Sequence, residues 1–280
     1  MAITKKSTTL LTVLTLLALA CQRSEGNFQP GDVPAPASLH RTWATVLEKH
    51  HREGGMDYGG LAADPAELNS YLTELSSQMV EGWSDDAALA FWINAYNAVV
   101  VHQVIQRYPK IDSVKDIDGV FDEITYPIAG EDLTLNAIES RCRDLGGARV
   151  HFAVVCASES CPDLQSQPFE AATLEPQLAA AVASFLDDRN KGMRFDETTN
   201  TLWLSSIFKW YAGDFTGGST VVAFFARGGV VDWVVQHLPH ELSRELRAKR
   251  PKVRYLRDYF NPGASSHTRL HQPITWTRIA

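Results

Sequence analysis

Three stretches of this chain carry side chains whose types and spacing suit chemistry. The first runs from His151 to Pro162, HFAVVCASESCP. Cys161 follows a polar loop and precedes a proline, the setting of an exposed thiol. Beside a base, such a thiol falls below its usual pKa of about 8.5 and becomes a nucleophile. His151 is the base at hand. If His151 to Cys156 forms a regular strand, those two residues point to opposite faces and are poor direct partners. Two other readings of the sulfurs stay open. A Cys156–Cys161 disulfide would close a short loop and leave Cys142 free. A zinc site of His151, Cys156 and Cys161 lacks a close Cys-x-x-Cys pair and a fourth ligand, so no metal is expected. The second stretch, Phe91 to Ala98, places Asn94 and Asn97 three apart on one helix face with Tyr96 between them. Buried amides need partners, so they either clamp a neighbouring backbone or line a site. His102 lies further along, roughly 80° round from Asn94. The third stretch, Leu204 to Phe215, sets aromatics and Asp214 about a glycine. Asp214 either orients a histidine, as the third member of a triad does, or caps a helix.

These residues need elements to hold them. Trp43–Lys49 reads as a helix, and Asp64-Pro65 opens another to about Met79, with Asp64 as cap. Ser84-Asp85-Asp86 caps the most apolar segment, Leu89 to Ile105, a buried helix that stops near Tyr108-Pro109. Glu123 to Leu135 suggests a hairpin around Gly130-Glu131-Asp132. Thr134 leads into a helix through Cys142, ended by Gly146-Gly147. Arg149 to Cys156 is the best strand candidate, an apolar run of β-branched and aromatic residues. Phe169–Arg189 reads as helix and Met193–Leu204 as strand, turn, strand. Thr220–Leu238 and Pro239–Lys249 read as two more helices, and Val253–Phe260 as a last strand. The class expected is α+β: helices packed on a small, largely antiparallel sheet.

The N-terminus speaks to location. Lys5 and Lys6 precede an apolar run from Leu10 that ends Ala18-Leu19-Ala20-Cys21. A span needs about 20 apolar residues, so this is a secretory leader. A cysteine at the cleavage point is where a bacterial lipoprotein carries its diacylglycerol and palmitate-type chains. The chain is therefore expected to be cut before Cys21 and anchored to a membrane through it. Gln22, where an Asp would retain the protein on the inner membrane, points to the periplasmic face of the outer membrane in a two-membraned cell. The organisation expected is residues 1–20 as signal peptide, 21–38 as a Pro- and Gly-rich tether, 39–262 as one globular domain and 263–280 as a tail. The net charge is −7, and loss of Lys5 and Lys6 makes it more negative. The basic run from Arg244 to Arg257 includes Glu245 and reads as a solvated helix end, so nucleic acid is not an expected partner. Export puts the cysteines where disulfides form. The three left beside Cys21 cannot all pair with one another.

Taken in order, the three stretches resemble the family called domain of unknown function 547. The likeness rests on Phe91, Trp92, Asn94, Tyr96 and Asn97; on His151, Phe152, Cys156, Ser160, Cys161 and Pro162; and on Ile207, Phe208, Trp210, Tyr211, Asp214 and Phe215. Asp57-Tyr58 and Ile138-Glu139 fit as well, so that the resemblance covers about residues 40–260. Where the family tends to end in a Y-D-W-S-L-N motif, this chain has Asp258-Tyr259-Phe260-Asn261-Pro262. The resemblance implies no settled activity. It suggests a comparison with papain- and transglutaminase-like folds, in which Cys and His meet between a helix and a sheet. Those folds start the buried helix with the cysteine, whereas here that helix supplies asparagines. The leading expectation is a cysteine-dependent amide or thioester hydrolase or transferase without cofactor. Cys161 would be nucleophile, His151 base and Asp214 orienting acid, with Asn94 or Asn97 as oxyanion or substrate contact and Tyr96 and Ser160 beside them. The alternative is a non-catalytic, disulfide-stapled module that binds a peptide, a small molecule or another lipoprotein.

Overall fold

The computed structural model describes residues 35–256 apart from 37, 53–54, 112–113, 158–159 and 218–226. The leader, Cys21, most of the tether, the start of the Thr220–Leu238 segment, the end of the Val253–Phe260 segment and the tail lie outside these residues.

One helix organises the fold. α4 (Asp85–Ile105) begins where the Ser84 hydroxyl accepts from the Ala87 N–H at 3.3 Å, with Asp85 and Asp86 in its positive first turn. Its composition and length would suit a membrane span, yet 94% of its apolar window is buried inside the protein. A helix apolar all round needs cover all round, and other helices supply much of it. α1 (Arg41–His50), α2 (Tyr58–Ala63) and α3 (Ala66–Ser76) bring Trp43, Leu47, Leu61, Leu68, Tyr71 and Leu75 to this core, and α5 (Leu135–Gly146) packs along α4. The expected Asp64 cap is corrected: Asp64 ends α2, and Pro65 holds the N-cap place of α3. The two helices abut without a loop, so Asp64 has no free first turn to cap.

Seven short strands form three separate small sheets among the described residues. β1 (His51–Arg52) and β2 (Gly55–Met56) make one antiparallel pair. β3 (Thr125–Ile128) and β4 (Glu131–Thr134) make a hairpin whose two turn residues are Ala129 and Gly130, both at positive φ. The turn thus falls one residue before the stretch expected, with Glu131 already in the strand, because a two-residue turn of this hand matches strand twist. Its N–H groups bond Leu75 O and Ser76 O, closing the end of α3. Thr134 then caps α5 by accepting from the Ala137 N–H at 3.2 Å.

β5 (Met193–Asp196) pairs antiparallel with β6 (Thr201–Leu204), and β7 (Lys252–Tyr255) adds to β6 in parallel. α6 (Leu174–Asp187), the single turns α7 (Ile207–Trp210) and α8 (Ala212–Phe215), α9 (Arg227–Gln236) and α10 (His240–Lys249) surround this sheet. Together they enclose a second apolar cluster around Phe152, Phe185, Phe208 and Phe215. The class is α+β as expected.

The strand expected over Arg149–Cys156 is not there. Residues Gly147–Phe152 form a 3-10 helix, and an irregular segment follows. Val150 and Ala153 enter the α4 core while Ala148 and Phe152 enter the second cluster. The run is apolar because it is shared between two cores, not because it sits inside a sheet.

Candidate functional site

His151 stands where the two cores meet. Its Nε2 donates to Asp214 Oδ2 at 2.8 Å, and its ring lies against Tyr211, with centroids 3.9 Å apart. The turns α7 and α8 put Tyr211 and Asp214 there: Phe208 and Phe215 are buried beside Phe152, the residue after His151. On its other edge, His151 Nδ1 is 3.8 Å from Glu139 Oε1. Burial holds the imidazole below its usual pKa, and Asp214 offsets part of that effect. The neutral ring with its proton on Nε2 leaves Nδ1 without a proton, so it donates nothing to the Glu139 carboxylate.

Glu139 was not among the candidate site residues. It lies one helical step from Ile138 on the apolar stripe that Leu135, Ile138 and Cys142 make along α5. A carboxylate on a buried stripe is the signal that could have found it. Burial pushes its pKa up; Arg143, and a hydrogen bond from Tyr211, act against that. Arg143 reaches both acids, with Nε 3.9 Å from Glu139 Oε1 and Nη1 3.5 Å from Asp214 Oδ2. The Tyr211 hydroxyl is itself pushed up to about 12, chiefly by burial and then by Glu139.

A cavity of about 210 Å³ opens beside this group. Tyr96, Phe121, Asn136, Glu139, His151 and Val154–Cys156 line it together with Cys161, Pro162, Ile207, Trp210 and Tyr211. His151 and Cys156, expected on opposite faces of a strand, therefore share one wall, since no strand separates them.

The sulfur chemistry differs from the leading expectation. Cys161 is bonded to Cys156, and Cys142 is the buried thiol left over. This is the second of the readings that the sequence left open. A sulfur already in a disulfide has no thiolate to offer, so Cys161 is not a nucleophile in this structure. Burial raises the Cys142 thiol well above its usual value, and Glu139 adds to that. Ser160 is not among the residues lining the cavity.

The asparagines take the structural option. Asn94 Nδ2 donates to Phe169 O at 2.8 Å, and the Phe169 N–H donates back to Asn94 Oδ1 at 3.0 Å. Asn97 Nδ2 donates to Ala153 O, and the Val155 N–H donates to Asn97 Oδ1, both at 2.9 Å. With 1% and 2% of their surface exposed, neither amide lines the cavity, so the oxyanion or substrate role expected of them is corrected. Each does for an irregular segment what a neighbouring strand would do for a regular one. Tyr96, between them, does reach the cavity, and its buried hydroxyl is held well above its usual pKa. His102 lies apart, paired with the Gln106 amide at 3.0 Å. Among the described residues, no three or more His, Cys, Asp or Glu side chains converge as a metal ion would need.

Residues 80–186 match the profile of the family described as "Protein of unknown function, DUF547". That segment contains α4, α5, the amide clamps, His151 and both disulfide cysteines. No curated protein and no solved structure matches the chain. The DUF547 match thus takes in the cavity-lining residues from Tyr96 to Pro162, while the lining residues Ile207, Trp210 and Tyr211, and Asp214 as the partner of His151, come from the chain beyond it.

Proposed function

We propose that the chain is a lipoprotein of the bacterial cell envelope, anchored through lipid on Cys21, whose folded part binds a small molecule or a short peptide. The observation that supports a binding module over a cysteine-dependent hydrolase is the Cys156–Cys161 bond in the cavity wall. It staples the segment that Asn97 holds and removes the thiol that covalent catalysis would use. The cavity has the character of a ligand site: mostly apolar and aromatic walls, with a few polar groups to set orientation. Export would provide the oxidising setting in which the staple persists.

A second reading keeps the cysteine chemistry. Cys161 and His151 line the same cavity, and His151 is oriented by Asp214 at 2.8 Å. On reduction, Cys161 would again be a thiol near a base. One experiment separates the two readings. Protein purified from the envelope without reductant is treated with iodoacetamide across a pH series and then mapped by mass spectrometry. The binding-module reading expects a linked Cys156–Cys161 peptide, no label on Cys161, and an N-terminus that begins at an acylated Cys21. Rapid labelling of Cys161 that slows in H151A would overturn it in favour of the nucleophile. An unmodified Cys21, or cleavage elsewhere, would remove the lipid anchor.

A further inference from the structure

Among the described residues, Glu139 is the one Asp, Glu, Lys or Arg side chain that lines the cavity. It enters from α5, and its surroundings are short of positive charge. Arg143 is shared between Glu139 at 3.9 Å and Asp214 at 3.5 Å. His151, between the two acids, is kept neutral by burial. Two carboxylates therefore face one guanidinium. A buried carboxylate with a partial partner is costly and gains from any further cation that reaches it. Burial has already pushed its proton affinity up.

The walls around it are rings: Tyr96, Phe121, Trp210 and Tyr211. Aromatic faces attract cations, most strongly where water is excluded. On the reading that this cavity is a binding site, we propose that its ligand is a small organic ammonium ion. The charged nitrogen sits against Glu139 and the apolar body packs among the four rings. The nitrogen supplies the missing positive charge, and its N–H groups find the carboxylate as acceptor. A cavity of about 210 Å³ limits the ligand to the size of a simple arylalkylamine. An anion in the cavity would meet the Glu139 carboxylate, and Arg143, which lies 3.9 Å from Glu139 and 3.5 Å from Asp214, does not line it.

The test uses the full mature chain with its disulfide intact and three probes of similar shape: 2-phenylethylammonium, 2-phenylethanol and 3-phenylpropanoate. Binding is read from the NMR signals of Trp210 and Tyr211. The ammonium should bind about tenfold or more tighter than the alcohol, and the carboxylate more weakly still. E139Q keeps the volume and an acceptor for Tyr211, and should bring the ammonium down to the alcohol's affinity. W210A, at a residue already 43% exposed, should fold normally and bind the ammonium several-fold more weakly. If the alcohol or the carboxylate binds as well as the ammonium, the cation assignment fails while the binding site stands. If none of the three moves the Trp210 and Tyr211 signals, the binding site fails with it.

Discussion

Replacing Asn97 by Ala should be among the most damaging single changes in the α4 core. The side chain bonds two buried backbone groups at once, Ala153 O and the Val155 N–H, each at 2.9 Å. Among the described residues, no strand runs beside this segment to take them over. Each buried group left without a partner costs about 1–3 kcal/mol. The space left by the carboxamide adds about 1 kcal/mol. The expected loss is about 3–7 kcal/mol, against a total stability of about 5–15 kcal/mol for a domain. Guanidinium unfolding measures it as a fall in midpoint at constant slope. N97D separates hydrogen bonding from packing. Its carboxylate accepts from Val155 but has no proton for Ala153 O, so at neutral pH it should be at least as damaging as N97A. Protonation restores the donor, so the N97D deficit, taken relative to wild type, should shrink as pH falls, while the N97A deficit does not. A loss under about 1 kcal/mol for N97A, or N97D and N97A deficits that keep a fixed difference across pH, would show that the backbone groups find other partners and that the clamp is not structural.

Gly192 sits where a Cβ would come within 1.6 Å of the Phe185 carbonyl oxygen, a backbone atom that cannot swing aside. G192A should cost more than about 3 kcal/mol by prising β5 from the end of α6, and a thermal midpoint within a few degrees of wild type would refute this. Burial pulls His40 down from 6.5 to about 4 and moves His151 in the same direction. For both, the unfolded chain binds the proton first. Their contribution is therefore complete above pH 6.5 and is lost as pH falls through the folded values, for His40 near 4. Urea unfolding across that range checks the slope, and a His40 ring that titrates at 6.5 or above by NMR would contradict it. D214N should lower the His151 pKa further, because Asp214 raises it. A rise in the titration midpoint of D214N would mean that the carboxylate does not face the imidazole as described.

How much of this was legible follows from where the deciding partner lies in the chain. Ser84 and Thr134 cap α4 and α5 from their immediate neighbours, and both helices begin where those residues indicate. α2 is the opposite case. It contains Gly59-Gly60, which no helix propensity favours, and it forms because Asp57 Oδ1 accepts from the Gly60 N–H at 2.8 Å. The apolar run after Arg149 has the composition of a buried strand. Periodicity cannot tell a strand from any other segment buried on all sides. What decides its backbone is Asn97, more than fifty residues earlier, and no local pattern carries that information. The pairing of His151 with Asp214 matches one of the two options that the sequence left for Asp214, orienting a histidine rather than capping a helix.

The polar residues of the buried region divide by how many of their needs the backbone can meet. An asparagine amide offers a donor and an acceptor, and a stretch of main chain offers the same pair. Asn94 and Asn97 can thus be satisfied without any other side chain, and they are. Two cysteines with only a short loop between them can satisfy each other by forming a bond, and Cys156 and Cys161 have done so. An ionised carboxylate only accepts, and its charge needs a counterpart that main chain does not possess. Glu139 has the Tyr211 hydroxyl and a guanidinium 3.9 Å away that it shares with Asp214. That partial satisfaction, on the apolar stripe of α5 and at the wall of an aromatic cavity, is the strain that a fold built for stability alone would have removed by placing a leucine there. The residues that looked most chemical hold the walls in place, and Glu139, whose needs its neighbours meet only in part, is where the proposed ammonium ligand would bind.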